Sequence, residues 1–342
     1  MNKSKNKDPD ILKIGDTSIK RGERVDLSLK VGALYDHTPL SIPLEVIRGK
    51  LGGPTLFISA AVHGDELNGV EIIRRILKRK ELNQLTGTLI LIPVVNVFGF
   101  NNKSRYLPDR RDLNRSFPGT SAGSLAGRMA RLFIKEVVEK CTHGIDLHTG
   151  AIHRANLPQI RACLEDVKTK ELAQSFGVPV IIDSKIRDGS LREAARKKKV
   201  TTLLFEGGEA LRFNEDVIKS GVKGCISVME KIGMIKKSPS KAAKKKKKVY
   251  IANNSFWIRS PHSGAVNFFK SLGDNIKNGD LLATVSNTFG REATNVYATE
   301  DGILVGLAML PLVNQGDALF HIATFKDTTK VKKALDIYSE DH

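Results

Sequence analysis

Three consecutive segments restrict this chain's fold more than any other feature. Thr55 to Val62 (Thr-Leu-Phe-Ile-Ser-Ala-Ala-Val) is an unbroken apolar run of strand length. Beyond it Leu67, Val70, Ile73, Ile76 and Leu77 recur at helical spacing, with Arg74, Arg75, Lys78 and Arg79 around them. Thr88 to Val95 is a second buried-type strand. Strand, amphipathic helix and strand at this spacing form a βαβ unit, which needs a sheet with parallel strands and a helix packed on its face. The alternation continues. Helices are expected over residues 124–140, 167–176, 190–198 and 214–231, and strands over 144–147, 178–182 and 200–205. Upstream, 42–48 reads as a strand, and Gly52-Gly53-Pro54 as a turn. The expected architecture is α/β, a mainly parallel (mixed) sheet with helices on both faces.

At 342 residues the chain exceeds one ordinary core, so two domains are expected. The pattern changes after a lysine-rich segment, 236–248, which carries eight lysines and no acid. From Val249 onward the pattern predicts short strands broken by glycines and no helix. A faint repeat is present: Ser263-Gly264-Ala265-Val266 leads to Asn278-Gly279-Asp280-Leu281-Leu282, as Asp301-Gly302-Ile303-Leu304 leads to Gln315-Gly316-Asp317-Ala318-Leu319. This all-β part resembles a biotinyl/lipoyl-like barrel-sandwich. In such carriers a lysine sits at a hairpin tip, and the corresponding Ser286 to Glu292 has none, which argues against a carrier role. The domains expected are a disordered tail (1–10), a catalytic α/β domain (11–235), the lysine linker (236–248), a β domain (249–330) and a tail (331–342).

The net charge of +18 raises a nucleic-acid reading. Much of that charge lies in the lysine segment, which reads as a solvated, self-repelling linker. No aromatic residues alternate with these lysines, so no base-stacking surface is expected, and no specific nucleic acid. The three cysteines form no Cys-x-x-Cys pair, so neither a disulfide framework nor a thiolate metal site is supported. The first residues lack a secretory apolar stretch, and the longest apolar run is too short to span a bilayer. A cytoplasmic protein without membrane contact is the expectation.

Chemistry-bearing residues stand where apolar strands end, the edge at which open α/β sheets gather ligands. His63 and Glu66 follow the first strand across Gly64, and His148 ends another in Ile145-Asp146-Leu147-His148-Thr149-Gly150. Two histidines and a carboxylate are a catalytic zinc set that leaves a position open for water. His63 and Glu66 alone could equally cap a helix. Imidazole ligands need orienting partners on their second nitrogens, and Asp65 and Asp146 stand near in sequence. The loop holding Arg111-Asp112-Leu113-Asn114-Arg115-Ser116-Phe117-Pro118-Gly119 is long, and its arginines suit an anionic substrate, although a solvated basic loop would look the same. Glu206 closes an apolar strand in Leu203-Leu204-Phe205-Glu206-Gly207-Gly208, where it fits a general base or a structural ion pair.

The four motifs, His-Gly-Asp-Glu, Asp-Leu-Asn-Arg-Ser-Phe-Pro-Gly, Asp-Leu-His-Thr-Gly and Phe-Glu-Gly-Gly, in this order resemble the succinylglutamate desuccinylase/aspartoacylase family of the zinc carboxypeptidase clan. The match runs from about Leu44 to Gly208. The resemblance implies a zinc carboxypeptidase-like fold and one Zn²⁺ held by His63, Glu66 and His148. It implies Glu206 as general base and then proton donor, and Asn114 and Arg115 as holders of the substrate carboxylate. Arg105 would polarise the scissile carbonyl, with Arg110 and Arg111 as alternatives, and Arg154 and Arg161 are further anion contacts. A β domain that helps enclose the site is also similar to the family arrangement. The function expected is hydrolysis of an amide (or ester) bond of a small carboxylate such as an N-acyl amino acid. The alternatives are a peptidase acting on acidic or C-terminal residues, and a basic nucleic-acid-binding protein with a relic active site.

Overall fold

A computed structural model describes residues 9–237 and 248–340. Residues 1–8 of the expected tail, 238–247 of the lysine segment and 341–342 lie outside the described residues. The chain opens with a hairpin, β1 (Ile11–Ile14) and β2 (Thr17–Lys20), then long antiparallel strands β3 (Arg24–Ala33) and β4 (Pro39–Arg48). The α/β alternation follows: β5 (Leu51–Ala60), α1 (Asn68–Ile76), β6 (Thr86–Ile92), α2 (Val97–Asn101), α3 (Leu125–Glu136), β7 (His143–Gly150) and β8 (Arg154–Ala162). It continues with α4 (Val167–Phe176), β9 (Val180–Asp183), α5 (Leu191–Lys197), β10 (Thr201–Glu209) and α6 (Glu215–Lys231).

Nine strands come after the lysine segment: β11 (Tyr250–Ala252), β12 (Asn254–Arg259), β13 (Gly264–Phe268), β14 (Asn275–Ile276), β15 (Leu281–Ser286), β16 (Thr294–Tyr297), β17 (Gly302–Ala308), β18 (Leu312–Val313) and β19 (Ala318–Thr324). Helix α7 (Thr328–Glu340) follows them.

The main sheet has 13 strands, ordered β12-β19-β17-β8-β10-β7-β5-β6-β4-β3, with β14 on β17, β9 on β8 and β11 on β9. β10, β7, β5 and β6 are mutually parallel, so all four point their carboxyl ends at one edge. Antiparallel partners flank them, which makes the sheet mixed. Strands covered on both faces must be apolar throughout, as the β5 run is. Phe57 enters the core beneath α3 and α5, while Leu56 and Ile58 enter the core beneath α1, α4 and α6. A second sheet, β16-β15-β13-β18, packs with strands of the first around Val285, Leu304 and Phe320.

Three local expectations are corrected. The turn placed at Gly52-Gly53-Pro54 lies inside β5, and the chain reverses at Gly49-Lys50. No strand was expected before residue 42, yet β1 to β3 form there. Arg48, 2% exposed, stitches them on by donating to the carbonyls of Pro9 (2.5 Å), Asp10 (3.0 Å) and Ile19 (2.7 Å). Finally, a helix occupies most of the segment read as a C-terminal tail. Val331, Leu335 and Tyr338 recur at helical spacing and are buried, and their burial stabilises a lysine-studded sequence that looks polar overall.

Candidate active site and metal centre

The site is built where the parallel strands end. Cross-strand register puts Glu206 of β10 opposite His148 of β7, and Leu147 of β7 opposite Ala60 of β5. Just past Ala60 the backbone swings through a left-handed conformation at Ala61 (φ 48°), which costs a residue with a side chain roughly 1–2 kcal/mol. This swing delivers His63 and Glu66 to the level of His148. Gly64 is required for a steric reason: a Cβ there would lie 2.0 Å from the Gly99 carbonyl carbon of α2.

His63, Glu66 and His148 are 4%, 2% and 4% exposed, and one donor atom from each lies within 4.8 Å of the others. His63 Nδ1 is 2.7 Å from one Glu66 oxygen, and His148 Nδ1 is 2.7 Å from the other. Each ring has a carboxylate behind it. His148 Nε2 lies 2.7 Å from Asp146, which also accepts the Ser59 hydroxyl at 2.8 Å. His63 Nε2 lies 3.1 Å from Asp112. Of the two carboxylates near in sequence, Asp146 fills the orienting place and Asp65 does not. The partner of His63 comes from the distant loop. This donor set fits a divalent ion: both outer nitrogens are directed to carboxylates, and both inner nitrogens converge on a buried carboxylate.

The electrostatics are steep. Burial alone would push the Glu66 carboxyl up, but His63 and His148 hold it well below the usual carboxylate range. Asp112 is likewise held low against its burial, by His63, Arg105 and Arg115. Arg105 donates to Glu66 (3.1 Å) and Asp112 (3.0 Å). Asn114 is fixed from both sides: its amide donates to Asp112 (2.8 Å), and its side-chain oxygen accepts the Leu191 amide at the start of α5 (2.9 Å). Glu206 accepts a hydrogen bond from Asn156 (2.9 Å) and faces Arg161 at 3.6 Å.

The nine residues to which the resemblance gives a metal-binding, catalytic or substrate-binding role, His63, Glu66, Arg105, Asn114, Arg115, His148, Arg154, Arg161 and Glu206, line one cavity of about 170 Å³. Such a space is below the ~300–1,000 Å³ typical of drug-sized ligands and suits a small substrate. Arg110 and Arg111 are exposed and do not line it. The cavity also contains residues not anticipated: Asn156, Arg187, Arg192, Trp257 and His321. Asn156 stands between Arg154 and Arg161, and Arg192 in the first turn of a helix capped by Ser190, so each carried a weak local signal. Trp257 and His321 come from β12 and β19 and carried none.

The fold has counterparts. A product-bound structure of the ectoine utilization protein EutE (DoeB) from Ruegeria pomeroyi superposes with a TM-score of 0.79 at 24% identity, covering 89% of this chain and 96% of that one. A succinylglutamate desuccinylase/aspartoacylase structure from Rhodobacter sphaeroides gives a TM-score of 0.81 at 20% identity, covering 93% of this chain and all of that one. In sequence, the chain is 26% identical over 296 residues to an N-alpha-acetyl-L-2,4-diaminobutyric acid deacetylase of Halomonas elongata, covering 82% of this chain and 85% of the relative. The profile of the succinylglutamate desuccinylase/aspartoacylase catalytic domain matches residues 52–232, more than half of the chain. That span holds the donor set and the arginines of the cavity, and this chain belongs to the succinylglutamate desuccinylase/aspartoacylase family.

Proposed function

We propose that this chain is a zinc-dependent amidohydrolase that removes the acyl group from a small N-acyl amino acid. The observation that carries the reading is a carboxylate, Glu206, at the end of the strand adjoining His148, level with a buried His-Glu-His set. The diaminobutyrate deacetylase relative supports the reaction type. His63, Glu66 and His148 would hold the zinc, which supplies Lewis acidity and brings the pKa of water near 7. Asn114 and Arg115 bind the substrate carboxylate, and the cap on α5 keeps Asn114 in place. Arg105 offers its guanidinium to the carbonyl oxygen as negative charge develops there. Glu206, steadied by Asn156 and Arg161, takes the proton of the attacking water and returns it to the leaving amine.

The catalytic domain is taken as residues 11–235, of zinc carboxypeptidase-like fold. Residues 236–248 are the linker, and 249–330 a barrel-sandwich of the biotinyl/lipoyl type. Among the described residues no helix is long and apolar enough to cross a membrane, and a cytoplasmic location is part of the proposal. The test is a hydrolysis screen of N-acyl amino acids and acidic dipeptides, with and without a chelator, on the natural chain and Glu206→Gln. Expected are acyl amino acid hydrolysis that chelation abolishes, and a kcat lowered about 10²–10⁴-fold in the variant with zinc stoichiometry unchanged. Near-natural turnover in the variant, loss of its metal, or activity on peptides alone would overturn the reading.

A further inference from the structure

The main sheet ends at β3, which pairs with β4 alone, so among the described residues its second edge is open. A strand in an antiparallel ladder bonds each neighbour through alternate residues, which leaves a row of backbone N–H and C=O groups facing that edge. The strand is 10 residues long and contains no proline. Its side chains alternate. Val25, Leu27, Leu29 and Val31 pack into the core that also holds Leu12, Ile14 and Ile19 of the N-terminal hairpin. Arg24, Asp26, Ser28 and Lys30 point the other way and are exposed. Arg24 pairs with Glu45 of β4. Asp26 and Lys30 have no hydrogen bond or ion pair among the described residues. Asp26 stands directly opposite Glu45 on β4, carboxylate beside carboxylate, an unfavourable cross-strand neighbour.

We propose that the open edge of β3 is an interface between two copies of this chain, which pair antiparallel, β3 to β3, about a two-fold axis at Ser28. The two main sheets then run on as one. The interface is independent of the reaction assigned to the cavity.

The charges select both the partner and the register. A two-fold axis perpendicular to the sheet keeps like faces together, so the pairing can be centred only on a residue. Centred on Asp26 or on Lys30, it sets that residue against its own copy. Centred on Leu27, it sets Arg24 against Lys30 of the second copy. Centred on Leu29, it leaves Asp26 and Lys30 facing Gly32 and Ser28. Centred on Ser28, it sets Asp26 against Lys30 of the second copy, and by symmetry does so twice. Lys30 of the second copy then offsets the Glu45 carboxylate beside Asp26, and Leu27 meets Leu29 on the apolar face, which continues across the seam. A lone lysine on an edge strand guards against pairing; a lysine four residues after an aspartate matches one register and opposes its neighbours. The bulge between Lys30 and Gly32 ends the regular stretch. Just beyond it the hairpin tip exposes Leu34 and Tyr35, apolar area that paired backbones alone lack. The opposite end of the sheet, β12, has no such pattern: its one charged residue, Arg259, donates to the Gly316 carbonyl at 2.8 Å. A closed dimer follows, and not a filament.

The test is sedimentation equilibrium of the full chain over about 1–100 µM, where an interface of this modest size dissociates, with hydrogen exchange read on the β3 amides. A monomer–dimer equilibrium is expected, and exchange over Arg24 to Lys30 slows as concentration rises. Asp26→Lys opposes lysine to lysine across the seam, and Lys30→Asp opposes aspartate to aspartate. Each raises the dimer Kd about 10-fold or more. The chain carrying both exchanges regains opposite charges with the signs swapped, and its Kd returns to within about 3-fold of the natural value. The two single variants, mixed, pair with each other in preference to themselves. Both side chains are exposed, and thermal unfolding checks that each variant is folded. The inference is overturned by a natural chain that stays monomeric at the top of the range or grows beyond a dimer. It is equally overturned by a dimer whose Kd neither single exchange moves, or by a double exchange and a mixture that restore nothing.

Discussion

Replacing Asp146 with asparagine keeps the side chain's shape and removes its charge. Asp146 is fully buried. One oxygen lies 2.7 Å from His148 Nε2, and the other accepts the Ser59 hydroxyl at 2.8 Å. With a metal bound, the carboxylate would keep the proton of His148 on Nε2, so that the Nδ1 lone pair is free to face the metal beside Glu66. Asparagine has one acceptor oxygen. If its amide nitrogen faced His148, two donors would oppose each other, and the imidazole would have to carry its proton on Nδ1. If its oxygen faced His148, the Ser59 hydroxyl would turn to accept from the amide nitrogen. That adjustment is the cheaper one, so loss of charge dominates. Removing an orienting partner of a metal-bound histidine typically costs 10–100-fold in metal affinity, about 1.4–2.7 kcal/mol. Full burial and the short contact put Asp146→Asn toward the upper end. Asp112→Asn belongs toward the lower end, because Asp112 sits at 3.1 Å from His63 and its side chain is 16% exposed. The assay is competition for zinc against a chromophoric chelator at fixed pH, with thermal unfolding to show that each variant is folded. Natural affinity in a folded Asp146→Asn protein, or a larger loss in Asp112→Asn, would refute the reasoning.

Two further outcomes concern the scaffold. Arg48→Met strands the carbonyls of Pro9, Asp10 and Ile19 and frees the N-terminal hairpin, so denaturant unfolding should show a loss of about 3 kcal/mol. Gly144→Ala would drive a Cβ to 2.2 Å from the Phe57 ring, which is buried under α3; a loss of about 1–3 kcal/mol or more in the same assay is expected, and Phe57→Leu in the same chain should recover part of it.

Local pattern was enough to identify the α/β alternation and the strand ends that carry chemistry. A strand covered on both faces must be apolar, and a charged residue just past such a run is conspicuous. His63, Glu66, His148 and Glu206 each occupy such a place, and the loop arginines were visible as an unusual density. Helices α4 and α5 start within one residue of positions 167 and 190, where they were expected, and Asp166 and Ser190 cap them there by accepting from backbone amides three residues on. Residues 24–31 of β3 alternate Val25, Leu27, Leu29 and Val31 with polar residues, a period-two strand signal, whereas α7 is lysine-rich and its Val331 and Leu335 are buried only against strands distant in sequence.

Everything that depends on register was decided by the tertiary structure. Asp65 is two residues from His63, yet the partner of that ring is Asp112, 49 positions away, brought in by the loop. Arg105 rather than Arg110 or Arg111 faces the cavity because the loop turns between them, with Arg110 itself at φ 59°. Trp257 reaches the site only because β12, β19 and β17 extend the main sheet beyond β8. Such pairings join residues a hundred positions apart through backbone hydrogen bonds that carry no trace in local periodicity, so the chemistry of each side chain was legible in sequence, and its neighbours were not.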